Sequence, residues 1–128
     1  MAITTNTYNV VELPMQGSLF YLSLTSADLS GAEVALAAVA GKTHYITHIN
    51  FRSDAAIDLE IGSGEDVAGT VTVVHIGTVP LDADSGFFEW NAPAGKGLKC
   101  TSNKLIAIKA SAGTAWVELR GKTCADKL

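Results

Sequence analysis

The stretch "AGKTHYITHINF", residues 40–51, decides the fold. His44 and His48 stand four positions apart, the spacing at which two helical side chains share a face and hold one zinc ion. "GKT", residues 41–43, matches the end of a phosphate-binding loop. Both readings fail on the residues around them. A zinc-protease helix places glutamate directly after the first histidine, and that position is Tyr45. Tyr45, Ile46 and Thr47 all favour strands. On a strand, His44 and His48 share a side about 13 Å apart. Zinc sits ~2 Å from each ligand, so one ion does not bridge them. The phosphate loop needs a glycine five residues before Gly41, where Leu36 stands, and a helix after it. The stretch therefore reads as a turn at Gly41 followed by a strand.

Working outward, the same signal recurs. "TYNVVEL", "LFYLSL", "AIDLEI", "TVTVVHIGTV", "GFFEW", "LKCTS", "KLIAIKA" and "TAWVELRG" are rich in β-branched or aromatic residues and are separated by turn residues. In "AIDLEI", Ile57, Leu59 and Ile61 alternate with Asp58 and Glu60, a strand with one wet face. "SGED", residues 63–66, reads as a turn. The sum is an all-β antiparallel sandwich of about eight to nine short strands. The segment "SGAEVALAAVAG" competes with this, because Ser30 and Glu33 are spaced as a capping box before alanine-rich helix formers. Val34, Leu36 and Ala38 also alternate with Glu33, Ala35 and Ala37 and run into a strand, which favours an extended segment over 33–40. Three regions are expected: an extended N-terminal arm (1–18) interrupted by Pro14 and Gly17, a sandwich domain (19–121), and a C-terminal tail (122–128) that is frayed or partner-bound.

At 128 residues the chain is expected to form one domain with its own core. Its 48% hydrophobic and 17% charged content excludes a largely disordered chain and favours extra surface buried against partners. No apolar run approaches the ~20 residues of a membrane span. The N-terminus lacks the basic and apolar regions of a signal peptide, so synthesis in a cytoplasm is expected. A net charge of -4 argues against nucleic-acid binding. Every charge from Asp54 to Glu89 is acidic, and from Lys96 onward most are basic. Two solvated faces that neutralise each other explain this, as do complementary surfaces between identical subunits.

A survey for chemistry returns no catalytic constellation. Pairing His44 or His48 with His75 across two strands is the remaining metal arrangement, and scattered structural histidines are the commoner case. Cys100 and Cys124 lack ligand spacing and read as two reduced thiols. Cys100 has no neighbouring histidine or helix start to lower its pKa. No serine sits in a Gly-x-Ser-x-Gly turn. "GSGEDVAG" offers Glu65 and Asp66 to calcium but lacks the calcium-loop pattern, so a polar turn is favoured. Phe87, Phe88, Trp90 and Trp116 fit a sugar-stacking platform, a core or a subunit interface. No catalytic, cofactor-binding or metal residue is assigned.

"EVALAAVAGKTHYITHINFRSDAAIDLEIGSG" (33–64), "VTVVHIGTVPL" (71–81), "GFFEWN" (86–91), "PAGKGLKCTS" (93–102) and "AGTAWVELRG" (112–121) together resemble a recurrent pattern in small tailed-phage virion proteins. It comprises an extended segment ending in Ala-Gly-Lys, a strand, a polar turn, an alternating strand ending near Ser-Gly, an aromatic pair and a closing glycine-containing strand. The resemblance covers residues 32–121. "HYITH" and the regular acidic block depart from it. What it implies is a jelly-roll-like sandwich and a virion structural protein on the capsid surface. That protein decorates (cements) the shell as a homo-oligomer, a trimer, against the major capsid protein. A receptor- or glycan-binding module of a fibre or tail tip is the alternative.

Overall fold

The computed structural model describes residues 10–28, 33–53, 57–65, 71–81, 87–110 and 114–125. Ten strands follow one another: β1 (Val10–Glu12), β2 (Ser18–Asp28), β3 (Glu33–Leu36), β4 (Lys42–Ser53), β5 (Ile57–Glu65), β6 (Val71–Leu81), β7 (Phe87–Asn91), β8 (Lys96–Lys99), β9 (Ile106–Ala110) and β10 (Thr114–Ala125). All pairings are antiparallel. A six-stranded sheet has the order β1-β8-β4-β10-β2, with β7 also on β4; a four-stranded sheet has the order β3-β9-β5-β6. β8 pairs with Tyr45 and Ile46 and β7 with His48–Arg52, so the two short strands line one flank of β4 end to end.

The sheets stack through alternate side chains. Ile46, Ile49, Phe51, Leu98, Val117 and Leu119 from the large sheet meet Leu59, Ile61, Ile76, Ile106, Ile108 and Ala110 from the small one. Burying each large aliphatic or aromatic side chain contributes about 1.5–3 kcal/mol. "AIDLEI" behaves as its alternation predicts: Leu59 and Ile61 are fully buried and Asp58 is exposed.

Strand β4 breaks its own alternation. Ile46 and Ile49 are both fully buried, yet they lie three residues apart. The cause is a β-bulge: Arg120 pairs with His48 and Gly121 with Ile46, which leaves Thr47 as the extra residue. Its carbonyl accepts from Ala92 N–H at 2.8 Å. Opposite the bulge the strands close in. A Cβ on Gly121 would lie 2.0 Å from the Tyr45 carbonyl oxygen and 2.5 Å from the Phe20 ring. The small sheet repeats the device. Gly62 pairs with Val74 and Ile61 with Ile76, so His75 is the extra residue on β6. A Cβ on Gly62 would lie 2.0 Å from the Val73 carbonyl oxygen.

Three expectations from sequence are revised. The segment 33–40 is a strand only to Leu36; Ala37–Val39 continue without regular pairing into a turn closed by Lys42 N–H on the Val39 carbonyl. β5 runs on through Ser63 to Glu65, residues read as a turn, because Ser63 and Glu65 pair with Val73 and Val71 of β6 and Gly64 N–H donates to the Leu105 carbonyl. Lys122–Ala125, set aside as a tail, belong to β10: all four pair with β4, and Lys122 and Thr123 also with β2. The described part of the arm, from Val10, packs on its own domain. β1 pairs with β8, Leu13 N–H donates to the Gly95 carbonyl, and Lys122 Nζ donates to the Pro14 and Met15 carbonyls at 2.7 and 2.9 Å.

Gly121→Ala is expected to destabilise the fold by about 3 kcal/mol, the upper range for overpacking against backbone. Gly41→Ala, at φ 73° with open space around it, should cost only about 1 kcal/mol. Urea titration of both variants checks the difference.

Candidate interaction surface

The histidines separate. The Thr47 bulge reverses the strand's phase, so His44 and His48 lie on opposite faces, not on the same one. His44 points inward with 2% exposure. Its Nε2 faces the Ala37 carbonyl at 2.8 Å, which only accepts, so Nε2 carries the proton. Its Nδ1 then accepts from the Thr123 hydroxyl at 2.8 Å. The Phe20 ring meets it edge-on at 6.0 Å. His44 thus fastens the stretch before β4 to β10. His48 is on the outer face and hydrogen-bonds Asn91 Oδ1.

His75 belongs to the other sheet, where its bulge turns it toward β5. Its Nε2 lies 2.7 Å from the Ser63 hydroxyl. Ser63 is buried and accepts from Thr101 N–H at 2.9 Å, so its own proton is free for His75. This hydroxyl joins the sheets, because Thr101 follows β8 while Ser63 and His75 sit on β5 and β6. Burial lowers the His75 pKa below its ordinary 6.5. Cys100, in the core beside Ser63, is pushed up to about 12 by burial, with the Ser63 hydroxyl offsetting part of the effect. Cys124 is also raised by burial, against the pull of the Lys122 charge. It lies beneath the arm, where a Cβ on Gly17 would come within 2.8 Å of its sulfur. Both thiols are free and buried. Among the described residues no three His, Cys, Asp or Glu side chains are grouped to hold a metal ion. Asp66 lies outside the described residues.

The aromatic residues also divide. Phe88 and Trp90 pack against the core and Glu89 and Asn91 are exposed; the Phe87 side chain lies outside the described residues. Trp116 is on the outer face of β10, 41% exposed, and paired in register with Arg52. Further along the same face, in register with Lys122 and Arg120 rather than with Trp116, Leu19 and Tyr21 of β2 are 83% and 53% exposed. The Arg120 guanidinium lies 4.9 Å from the Tyr21 ring centroid, a contact worth about 0.5–1 kcal/mol at an exposed site. The outer face of the large sheet therefore mixes exposed apolar side chains with Arg52, Arg120, Glu118 and Glu89. Sequence alternation placed Trp116 opposite Val117, but the rest of this face depends on which strands become neighbours. The acidic and basic blocks meet inside one subunit at Glu60 and Lys109, which are cross-strand partners.

No protein-family model matches the chain, and no curated protein matches it in sequence. Among solved structures it is similar to a chain of the acidic stable capsid structure of Helicobacter pylori bacteriophage KHP30. The TM-score is 0.46 and the identity 10%, over 95% of this chain and 100% of that one. It is also similar to a chain of the cyanophage Pam1 capsid asymmetric unit, with TM-score 0.38 and 13% identity, over 98% of this chain and 93% of that one. Scores at this level describe a loose likeness of outline and say nothing of what this chain binds.

Two predictions follow the buried groups. Because the folded pKa of His75 is depressed, the unfolded chain takes up a proton that the folded chain refuses. The stability due to neutral His75 is complete above pH 6.5 and is lost as pH falls through 6.5 toward the folded value. Denaturation at pH 7.5, 6.5 and 5.5 should show falling stability, with a shallower slope in His75→Gln. Native protein should resist a thiol reagent at both cysteines. Lys122→Ala, which releases the arm's two carbonyls, should speed labelling of Cys124 at least several-fold and leave Cys100 protected, as read by mass spectrometry of labelled peptides.

Proposed function

We propose that the chain is a non-enzymatic structural protein of a phage virion. It is a decoration (cement) protein that binds the outer surface of the capsid shell as a homo-oligomer, against the major capsid protein, and stabilises the shell. It is made in the cytoplasm of the bacterial host. The observation that carries this reading is the outer face of the large sheet. There Leu19, Tyr21 and Trp116 are exposed along one face, with Arg120 over Tyr21 and Arg52 in register with Trp116. Exposed apolar side chains interspersed with charged ones along one sheet face are the make-up of a protein interface. The histidines and cysteines that suggested chemistry are meanwhile occupied in structural hydrogen bonds or buried in the fold. The resemblance of residues 32–121 to virion proteins supplies the setting, and a trimer is the oligomer that it implies.

The mechanism is additive. Each copy buries apolar surface against the shell, and the symmetry of the shell repeats the contact. Arg52, Glu118 and Arg120 fix the register through charge. A receptor- or glycan-binding role is the second reading, favoured by the same Trp116 and Tyr21. Its original form, with Phe88 and Trp90 as the platform, is set aside because both pack on the core.

Purified protein is expected to co-sediment in fixed stoichiometry with shells that lack it and to raise their melting temperature. Trp116→Ala should weaken binding about tenfold, a loss of ~1.4 kcal/mol. Absence of shell binding, with glycan-array hits that disappear in Trp116→Ala, would overturn decoration in favour of the second reading.

A further inference from the structure

We propose that the free edge of β2 pairs with the β2 edge of a second copy, antiparallel about a two-fold axis at Leu22, so that two large sheets become one. The edges of the sandwich differ sharply in protection. β1 and β3 are three and four residues long and carry Glu12 and Glu33. β7 has five residues with Glu89 among them. β6 is long but contains Pro80 and shifts register twice. These are the devices by which edge strands avoid further pairing. β2 has eleven residues, "SLFYLSLTSAD", and from Ser18 to Ala27 contains neither charge nor proline. Among the described residues it is hydrogen-bonded to β10 and to no strand on its other side. Leu19 and Tyr21 stand exposed along it.

Charge favours a second copy in this orientation and register. The one charge of the strand, Asp28, is at its end. Antiparallel pairing sends the two copies of Asp28 to opposite ends of the joint, whereas parallel pairing in register sets them side by side. With Leu22 on the axis, Tyr21 lies opposite the partner's Ser23. On β10, Arg120 is in register with Tyr21 and Glu118 with Ser23. Each such row therefore carries Arg120 at one end and the partner's Glu118 at the other. Moving the axis to Tyr21 or to Ser23 puts two Arg120 or two Glu118 at the ends of one row, about 14 Å apart across the strands. The pairing concerns the free protein and does not depend on the virion reading. If copies also meet about a three-fold axis, the two-fold joint links one trimer to the next.

Sedimentation at micromolar concentration should give an even multiple of the 13.3 kDa chain mass, and Ser23→Lys should halve it. Tyr21→Cys combined with Ser23→Cys should form a disulfide-linked dimer on mild oxidation, since these positions face each other across the joint. Leu19→Cys alone should not, because its counterpart lies six residues along the strand. The natural thiols are buried and do not confuse the readout. A wild-type mass of one or three chains, or equal cross-linking in Leu19→Cys, would overturn the proposal. Shell binding by a protein of either mass is a separate result.

Discussion

The two-for-one pairing of Ile46–His48 against Arg120–Gly121 is the constraint on which the rest of the structure depends. β4 and β10 are the long strands at the centre of the large sheet, and both ends of β4 must contribute to one core. The inserted Thr47 changes the face on which alternate residues lie. Before it, Thr43 and Tyr45 face outward beneath the arm. After it, Ile49 and Phe51 face inward, and His48, Asn50 and Arg52 face outward. Glycine opposite the bulge is a steric requirement, because the Tyr45 carbonyl and the Phe20 ring fill the space that a side chain needs. The smaller sheet repeats the arrangement at Gly62 and His75.

The bulges also explain why polar groups lie between two apolar sheets without heavy cost. Each buried donor or acceptor that suggested a catalytic site has a partner. His44 bonds through both ring nitrogens, and Ser63 takes a backbone N–H on one side and His75 on the other. Satisfied groups of this kind fix which residues of the two layers face each other, while an unpartnered one costs about 1–3 kcal/mol. The histidines of this chain are better understood as fasteners between strands than as ligands or bases.

The surface shows the opposite economy. Its short or charged edges are protected, while one long edge and one mixed apolar face are left open. Met15, in the arm, is 97% exposed, and the arm is held by the β1–β8 ladder, by Leu13 N–H on the Gly95 carbonyl and by Lys122 on the Pro14 and Met15 carbonyls.

Sequence by itself determined the all-β class, the identity of nearly every strand and the inward alternation of Leu59 and Ile61. Those follow from local rules: β-branched residues, period-two patterning and glycine at turns. It also removed the zinc helix and the phosphate loop from residues 40–51. It misplaced His48 relative to His44, ended the last strand four residues early, and left Phe88 and Trp90 open between core, interface and surface platform. Each of these depends on a partner strand that the local pattern does not contain. A bulge is defined by what lies opposite it, a strand's length by the neighbours that pair with it, and the face of β7 by its docking on β4. Only the tertiary structure decided those, because hydrogen-bond register and layer packing are properties of two strands at once.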